Sequence, residues 1–147
     1  MNMKLKEATK EDLKAILNFE KEAASQTFHA MITEQEIKEF LIQNKVFFIN
    51  YESKNVGLIG YEPKEDSNYI SELIVSSDYQ SKGIATNAVK ELLKTIGDKP
   101  SELHTHPENN SAIIVYLKSG FKIKGWKDNY YGDGEPRLIL FKEKNDN

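Results

Sequence analysis

Residues 73–86, LIVSSDYQSKGIAT, constrain the fold of this chain more than any other stretch. Leu73, Ile74 and Val75 form a short apolar run, mostly β-branched, which reads as a buried strand end. Residues 76–83 are polar and close on Gly83, so they read as a loop. From Ile84 the apolar spacing changes. Ile84, Ala85, Ala88, Val89, Leu92, Leu93 and Ile96 share one helical face, and Gly97 stands at the position that closes a helix. A strand therefore runs through a polar loop directly into a helix. At such a junction several backbone N–H groups lack intrahelical partners and converge, and the helix dipole is positive there. Gly83 lets the backbone come close to a ligand, and Lys82 adds a cation. The segment predicts an anion site, with phosphate as the usual occupant.

Two common phosphate loops do not fit. No Gly-Lys-Ser/Thr follows, so this is not a Walker A loop, and only Gly83 is present where a dinucleotide fingerprint needs three spaced glycines. The bulk properties narrow the field further. A chain of 147 residues suits one domain, 1–147, with room for a core. At 39% apolar residues it is too hydrophobic to stay disordered. The net charge of −3, with no basic face, argues against a nucleic-acid partner. The absence of cysteine excludes disulfides, thiolate metal sites and a cysteine nucleophile. The N-terminal residues 1–12 have no apolar signal-like core, and no run is long enough to span a bilayer. The expectation is a soluble, cytoplasmic protein without a membrane partner, monomeric or homodimeric.

Read in order, residues 4–8 suggest a half-buried strand. Thr9-x-x-Asp12 is a capping pattern before a helix at about 11–24. Residues 25–32 are a loop with three large side chains, Phe28, His29 and Met31. Thr33-x-x-Glu36 opens a second helix at about 34–43, with Ile37, Phe40 and Leu41 on one face. Strands follow at 46–51, 56–62 and 69–75, with turn-rich connections too short for anything but antiparallel neighbours. The helix at 84–96 returns to a strand at 102–106, a parallel crossover. Asn109 or Asn110 caps a fourth helix ending at Ser119-Gly120. Strands at 121–129 and 137–142 close as a hairpin, and a polar tail covers 143–147. The order β-α-α-β-β-β-α-β-α-β-β predicts a mixed α/β sheet with the anion loop near its middle.

Gln80-x-x-Gly83-x-Ala85, between an apolar strand and an amphipathic helix, resembles the pyrophosphate loop of the GNAT acetyltransferases, Arg/Gln-x-x-Gly-x-Gly/Ala. A second segment, Asn109-x-x-Ala112-x-x-x-Tyr116-x-x-x-Gly120-Phe121, is similar to that family's motif after its fifth strand. The element order matches the GNAT fold along essentially the full chain. The resemblance implies acetyl-CoA as donor, an amine as acceptor and no metal. Gln80, Ser81, Lys82, Gly83, Ile84, Ala85 and Thr86 would hold the pyrophosphate, although Ala85 replaces the last glycine. Leu73, Ile74 and Val75 would offer a strand edge to the amides of the pantothenate arm. Asn109 would bond that arm, or serve as a plain N-cap, or both.

Acetyl transfer needs a neutral amine, a polarised carbonyl and a protonated leaving thiolate. A thiol has a pKa of about 8.5 and a phenol one near 10, so a tyrosine donates to a thiolate at little cost. Tyr116 matches the family tyrosine with that role, and the Val75 N–H would polarise the carbonyl. Glu72 is the leading carboxylate for a base, directly or through water; a salt-bridged strand residue is the alternative. Glu102, His104 and His106 share a strand face, with one histidine expected to line the cleft and the other to be solvated. An α-amine, with a pKa of about 8, needs less help from a base than a lysine amine near 10.4. Residues 129–135, NYYGDGE, look like the Tyr-Tyr-x-Asp-Gly-Glu-Asp turn of protein N-terminal acetyltransferases, except that Pro136 replaces the last acid. Tyr130 and Tyr131 would then hold the acceptor, with Phe28 and Met31 as opposite walls. A peptide N-terminus is the leading acceptor. The alternatives are a small amine (polyamine, amino acid or antibiotic) or a non-catalytic acyl-CoA-binding protein.

Overall fold

The computed structural model describes residues 1–25 and 27–144. Seven strands form: β1 (Met3–Ala8), β2 (Lys45–Tyr51), β3 (Lys54–Pro63), β4 (Asn68–Val75), β5 (Ser101–Thr105), β6 (Lys122–Lys127) and β7 (Arg137–Lys142). Four helices accompany them: α1 (Leu13–Ala23), α2 (Glu34–Gln43), α3 (Ile84–Thr95) and α4 (Asn110–Lys118). All elements expected from the sequence are present, in the expected order. The end of the polar tail, 145–147, lies outside the described residues.

Local chemistry explains the helix starts. The Asp12 carboxylate accepts from the Thr9 N–H at 2.9 Å, and the resulting box first winds a 3-10 turn at Lys10–Asp12. The first α-helix therefore begins two residues later than the sequence suggested. Thr33 Oγ1 accepts from the Glu36 N–H at 3.1 Å and fixes the start of α2.

The sheet order is β1-β2-β3-β4-β5-β7-β6, so β4 is its central strand. From β1 to β4 the neighbours are antiparallel. The crossover through α3 makes β5 parallel to β4, as expected from its length. That pair is joined only at Asn68–Ser101 and Tyr69–Glu102. Beyond Tyr69 the two strands part, and the later half of β4 has no neighbour on that side.

A bulge decides what this free edge presents. Gly60 of β3 pairs with Glu72, but Tyr61 pairs with Ile70, leaving Ser71 as an extra residue. Ile70 and Ile74 are four apart and would share a face of a regular strand. Instead Ile70 joins the core cluster of α3, with Val89 and Leu92. Ile74 joins the cluster of α1 and α2, with Ile16 and Ile37. The backbone turns over as well. The Asn68 N–H donates toward β5, to Pro100 O at 2.8 Å, whereas the Ser76 N–H donates toward β3, to Val56 O at 2.8 Å. Alternation then aims the Leu73 and Val75 N–H groups into the gap left by β5.

Candidate active site

A groove of about 570 Å³ occupies that gap. Its walls are 73–77 of β4 and the following loop, the first turn of α3, and α4 from Asn109 to Lys118, with Phe28 at one end. Of the residues expected to bind the donor, Leu73, Ile74, Val75, Gln80, Ser81, Gly83, Ile84, Ala85, Thr86 and Asn109 all line it. Lys82 is exposed and is not among the lining residues. Gln80 Nε2 donates to Val75 O at 2.9 Å, which ties the loop back to the strand. Gly83 precedes α3 with φ +80°, a left-handed conformation that glycine adopts without strain. No side chain caps α3, so its first N–H groups stay open to a ligand. Asn109 acts as the N-cap of α4, its carbonyl accepting from the Ala112 N–H at 3.3 Å. Its amide nitrogen has no protein acceptor among the described residues. A pyrophosphate with an amide-bearing arm matches this donor set.

Glu72 sits deeper than expected. It is 7% exposed and borders a small gap shared with Glu20, Met31, Ile37 and Leu58 rather than the groove. Burial, followed by the hydrogen bond and charge of Glu20, raises its carboxyl well above the usual range. Glu20 comes from α1 and is fully buried. One of its oxygens accepts from the Met31 N–H at 2.9 Å. The other, Oε2, is buried without a donor of its own. The raised carboxyl of Glu72 faces Glu20, and its protonated form is the one this pairing favours. Tyr116 is 6% exposed and stacks edge-on against Phe121, with ring centroids 5.7 Å apart. Burial first, and then the charge of Glu72, raises its phenol above the ordinary value. Tyr116 lies under the groove floor formed by Ala112 and Val115 rather than in its lining.

A second cavity, of about 380 Å³, opens between the α1–α2 loop and the β6–β7 turn. Phe28 and Ser25 line both cavities and so connect them. Tyr131 joins the loop and the turn without lining the cavity. Its ring stacks on His29 at 4.0 Å and 7°, and its hydroxyl is hydrogen-bonded to His104 Nε2. Tyr130 packs on the other side of His104, at 4.2 Å. The Tyr69 hydroxyl, from β4, is bonded to His104 Nδ1. Burial, helped by the charges of Arg137 and His29, lowers His104 to about 4. The neutral ring accepts on one nitrogen while donating on the other, which makes Tyr69–His104–Tyr131 a continuous hydrogen-bonded chain.

Three placements differ from expectation: His106, Met31, and the pair Tyr130 and Tyr131, expected to hold the acceptor but not among the residues lining either cavity. His106 is not solvated: it is 2% exposed, and its Nε2 donates to Glu135 Oε1 at 2.8 Å. It follows the end of β5, where the chain turns inward toward α4. Met31 does not wall the acceptor cavity; it packs on the α1–α2 core and borders the Glu20–Glu72 gap. Phe28 does line the cavity. Sequence reasoning passed over Glu20, Tyr69 and Arg137. Glu20 falls within an apolar helix face, and Tyr69 reads as one more sheet aromatic. Arg137 carried a signal, being the only arginine among 20 basic residues. Among the described residues no three His, Asp or Glu side chains gather as a metal site. No helix there is long and apolar enough to cross a membrane.

This fold and groove are those of a CoA-dependent acyltransferase. Residues 5–135 match the family model described as "Acetyltransferase (GNAT) domain". The chain belongs to the GNAT acetyltransferase family; it is an N-acetyltransferase whose donor is acetyl-CoA. Solved structures agree on the fold. A spermidine N-acetyltransferase SpeG chimera from Vibrio cholerae and hSSAT superposes with TM-score 0.81 at 21% identity, covering 97% of this chain and 96% of that one. The ribosomal-protein-S18-alanine N-acetyltransferase from Escherichia coli gives 0.81 at 19% identity, covering 99% and 96%. A GNAT family acetyltransferase from Elizabethkingia anophelis, with acetyl-CoA bound, gives 0.72 at 16% identity, covering 97% and 98%.

Proposed function

We propose that this enzyme acetylates an α-amine, with a peptide or protein N-terminus as the leading acceptor. One observation carries the reading: the donor groove and the cavity lined by His29, Asp133 and Arg137 share Phe28 and Ser25 as lining residues. Acetyl-CoA supplies an activated acetyl thioester. The open N–H groups at the start of α3 hold its pyrophosphate, and the Leu73 and Val75 edge holds its amide arm. The Val75 N–H polarises the carbonyl. Tyr116, under the groove floor, is the acid for the leaving sulfur; its raised pKa keeps it protonated and makes the transfer costlier than from an ordinary phenol.

Two routes take the proton from the amine. Glu72 is a base of raised pKa, but it is reached only past its pairing with Glu20. The Tyr69–His104–Tyr131 chain runs beside the acceptor cavity and passes a proton along without storing it. Neither route is strongly basic, which suits an α-amine already partly neutral near pH 8. The small-amine reading draws on Asp133 and Glu135 at the cavity, yet each of these acids faces a histidine, His29 or His106.

The test is CoA release from acetyl-CoA against four acceptor sets: peptides with free N-termini, the same peptides blocked but carrying lysine, polyamines, and single amino acids. Release with free α-amines is expected. Release with polyamines or blocked peptides alone would overturn the α-amine assignment. Binding of acetyl-CoA with no release across all sets would favour a non-catalytic binding protein.

A further inference from the structure

Among the described residues, the buried cation of the acceptor cavity has no carboxylate paired with it. Arg137 opens β7, is 2% exposed and lines the cavity. Its guanidinium donates one hydrogen bond, from Nη1 to Pro136 O at 2.9 Å, and lies 5.1 Å from the centre of the Tyr131 ring. No carboxylate stands within salt-bridge distance of it among the described residues. The two acids of the cavity are turned elsewhere. Glu135 Oε1 accepts from His106 at 2.8 Å, and Asp133 Oδ2 is 3.9 Å from His29. A guanidinium does not deprotonate to escape burial, and its planar fork matches a carboxylate. Buried charges are normally paired, because an unpaired one loses its hydration without compensation. In a sequence that uses lysine at every other basic position, an arginine placed here has the geometry of a recognition group.

We propose that Arg137 binds a carboxylate of the acceptor, so that the substrate is an α-amine with a carboxylate a few bonds away. The proposal rests on the acetyltransferase reading and narrows its acceptor. The carboxylate has two sources: the α-carboxylate of a free amino acid, or the acidic side chain of a peptide's first residue. Both place an anion beside the amine. Tyr131 fixes one side of the guanidinium, leaving the remaining N–H groups for the ligand. A bound carboxylate also offsets the positive charge that Arg137 exerts on His104, coupling acceptor binding to the Tyr69–His104–Tyr131 chain.

Matched acceptors test this without altering the protein. Glycine against glycinamide reads the α-carboxylate. An Asp-led tripeptide amide against its Asn-led counterpart reads the side chain. One of the two pairs is expected to favour the acid by about a hundredfold in kcat/KM, the penalty for leaving a buried cation unpaired. Which pair responds identifies the source. Arg137→Gln should bring that pair within threefold of each other, and Arg137→Lys should fall between. Calorimetric titration of the same pairs into the CoA-saturated protein reads recognition independently of turnover. Equal rates and equal affinities within both pairs would overturn the proposal, as would a preference that survives Arg137→Gln. Release of CoA without any carboxylate preference sinks this inference alone. No release from any amine sinks the enzymatic reading, and the titration still decides for or against Arg137.

Discussion

At the scale of single residues, burial sets the proton chemistry. Tyr116 lies in the core and feels Glu72, so its proton is held until an acceptor more basic than water appears. Tyr116→Phe keeps the ring against Phe121 and removes only the hydroxyl. Turnover is expected to fall by about 10²-fold or more while CoA affinity stays constant. Turnover equal to the parent's would remove Tyr116 from the chemistry. His104 titrates low, at about 4, because ionising it inside the aromatic cluster is costly. The unfolded chain takes up this proton near pH 6.5 and the folded one only near pH 4. The contribution of His104 is therefore intact above pH 6.5 and is lost as pH falls toward 4, on the order of 3 kcal/mol in full. Urea unfolding of the parent and of His104→Gln across that window should show a steeper fall for the parent.

Glu72 has the opposite sign. Its folded value lies above 4.5, so the protonated pair with Glu20 is fully stabilising below about 4.5 and weakens as pH rises through the raised value. Glu72→Gln keeps a donor toward Glu20 at every pH. Its stability relative to the parent should rise with pH. Parallel pH profiles for the two proteins would exclude the protonated pairing. The same variant reports on catalysis, since loss of turnover with CoA affinity retained would assign Glu72 the base role over the histidine chain.

At the scale of elements, the central strand and the loop that opens α3 do most of the positioning. Without the bulge at Ser71, the Leu73 and Val75 N–H groups would face β3 and be consumed by the ladder. The bulge turns them into the gap, while Gly57 lets β3 come close enough to hold the strand there. A Cβ at position 57 would sit 2.0 Å from Ile74 O. Gly83 plays a different part. The nearest atom to an added Cβ is 3.9 Å away, so space is ample, but φ is +80°. Gly83→Val should therefore cost roughly 1–2 kcal/mol by forcing a left-handed β-branched residue, or else reorient the loop. CoA affinity is expected to collapse in either case. Affinity retained in that variant would displace the pyrophosphate from the α3 N-terminus.

At the scale of the molecule, function arises where separate chain regions meet. The groove exists because β5 leaves β4 after Tyr69. The acceptor cavity exists because the α1–α2 loop and the β6–β7 turn close over β5 through His29, Tyr131 and His104. Saturating acetyl-CoA should stabilise the folded chain by about 2.7 kcal/mol at a hundred times its Kd, read as a rise in Tm. ATP or NAD giving equal protection would contradict the CoA groove.

The sequence by itself determined the elements, their order and the donor site. Capping boxes, apolar periods and Gly83 act within a few residues of themselves, so they are readable along the chain. The donor loop is one such local unit, a strand end, a turn and a helix start, and most of its expected residues line the groove. The tertiary structure alone decided the rest. Whether Glu72 meets solvent or Glu20 depends on a one-residue bulge that no local pattern marks. His106 is buried rather than solvated because a turn nearly thirty positions later brings Glu135 to it. Among the described residues Arg137 has no counter-ion, because the carboxylates of Asp133 and Glu135 face His29 and His106. These are outcomes of long-range packing and of how charges divide their partners, and only the folded chain fixes who stands next to whom.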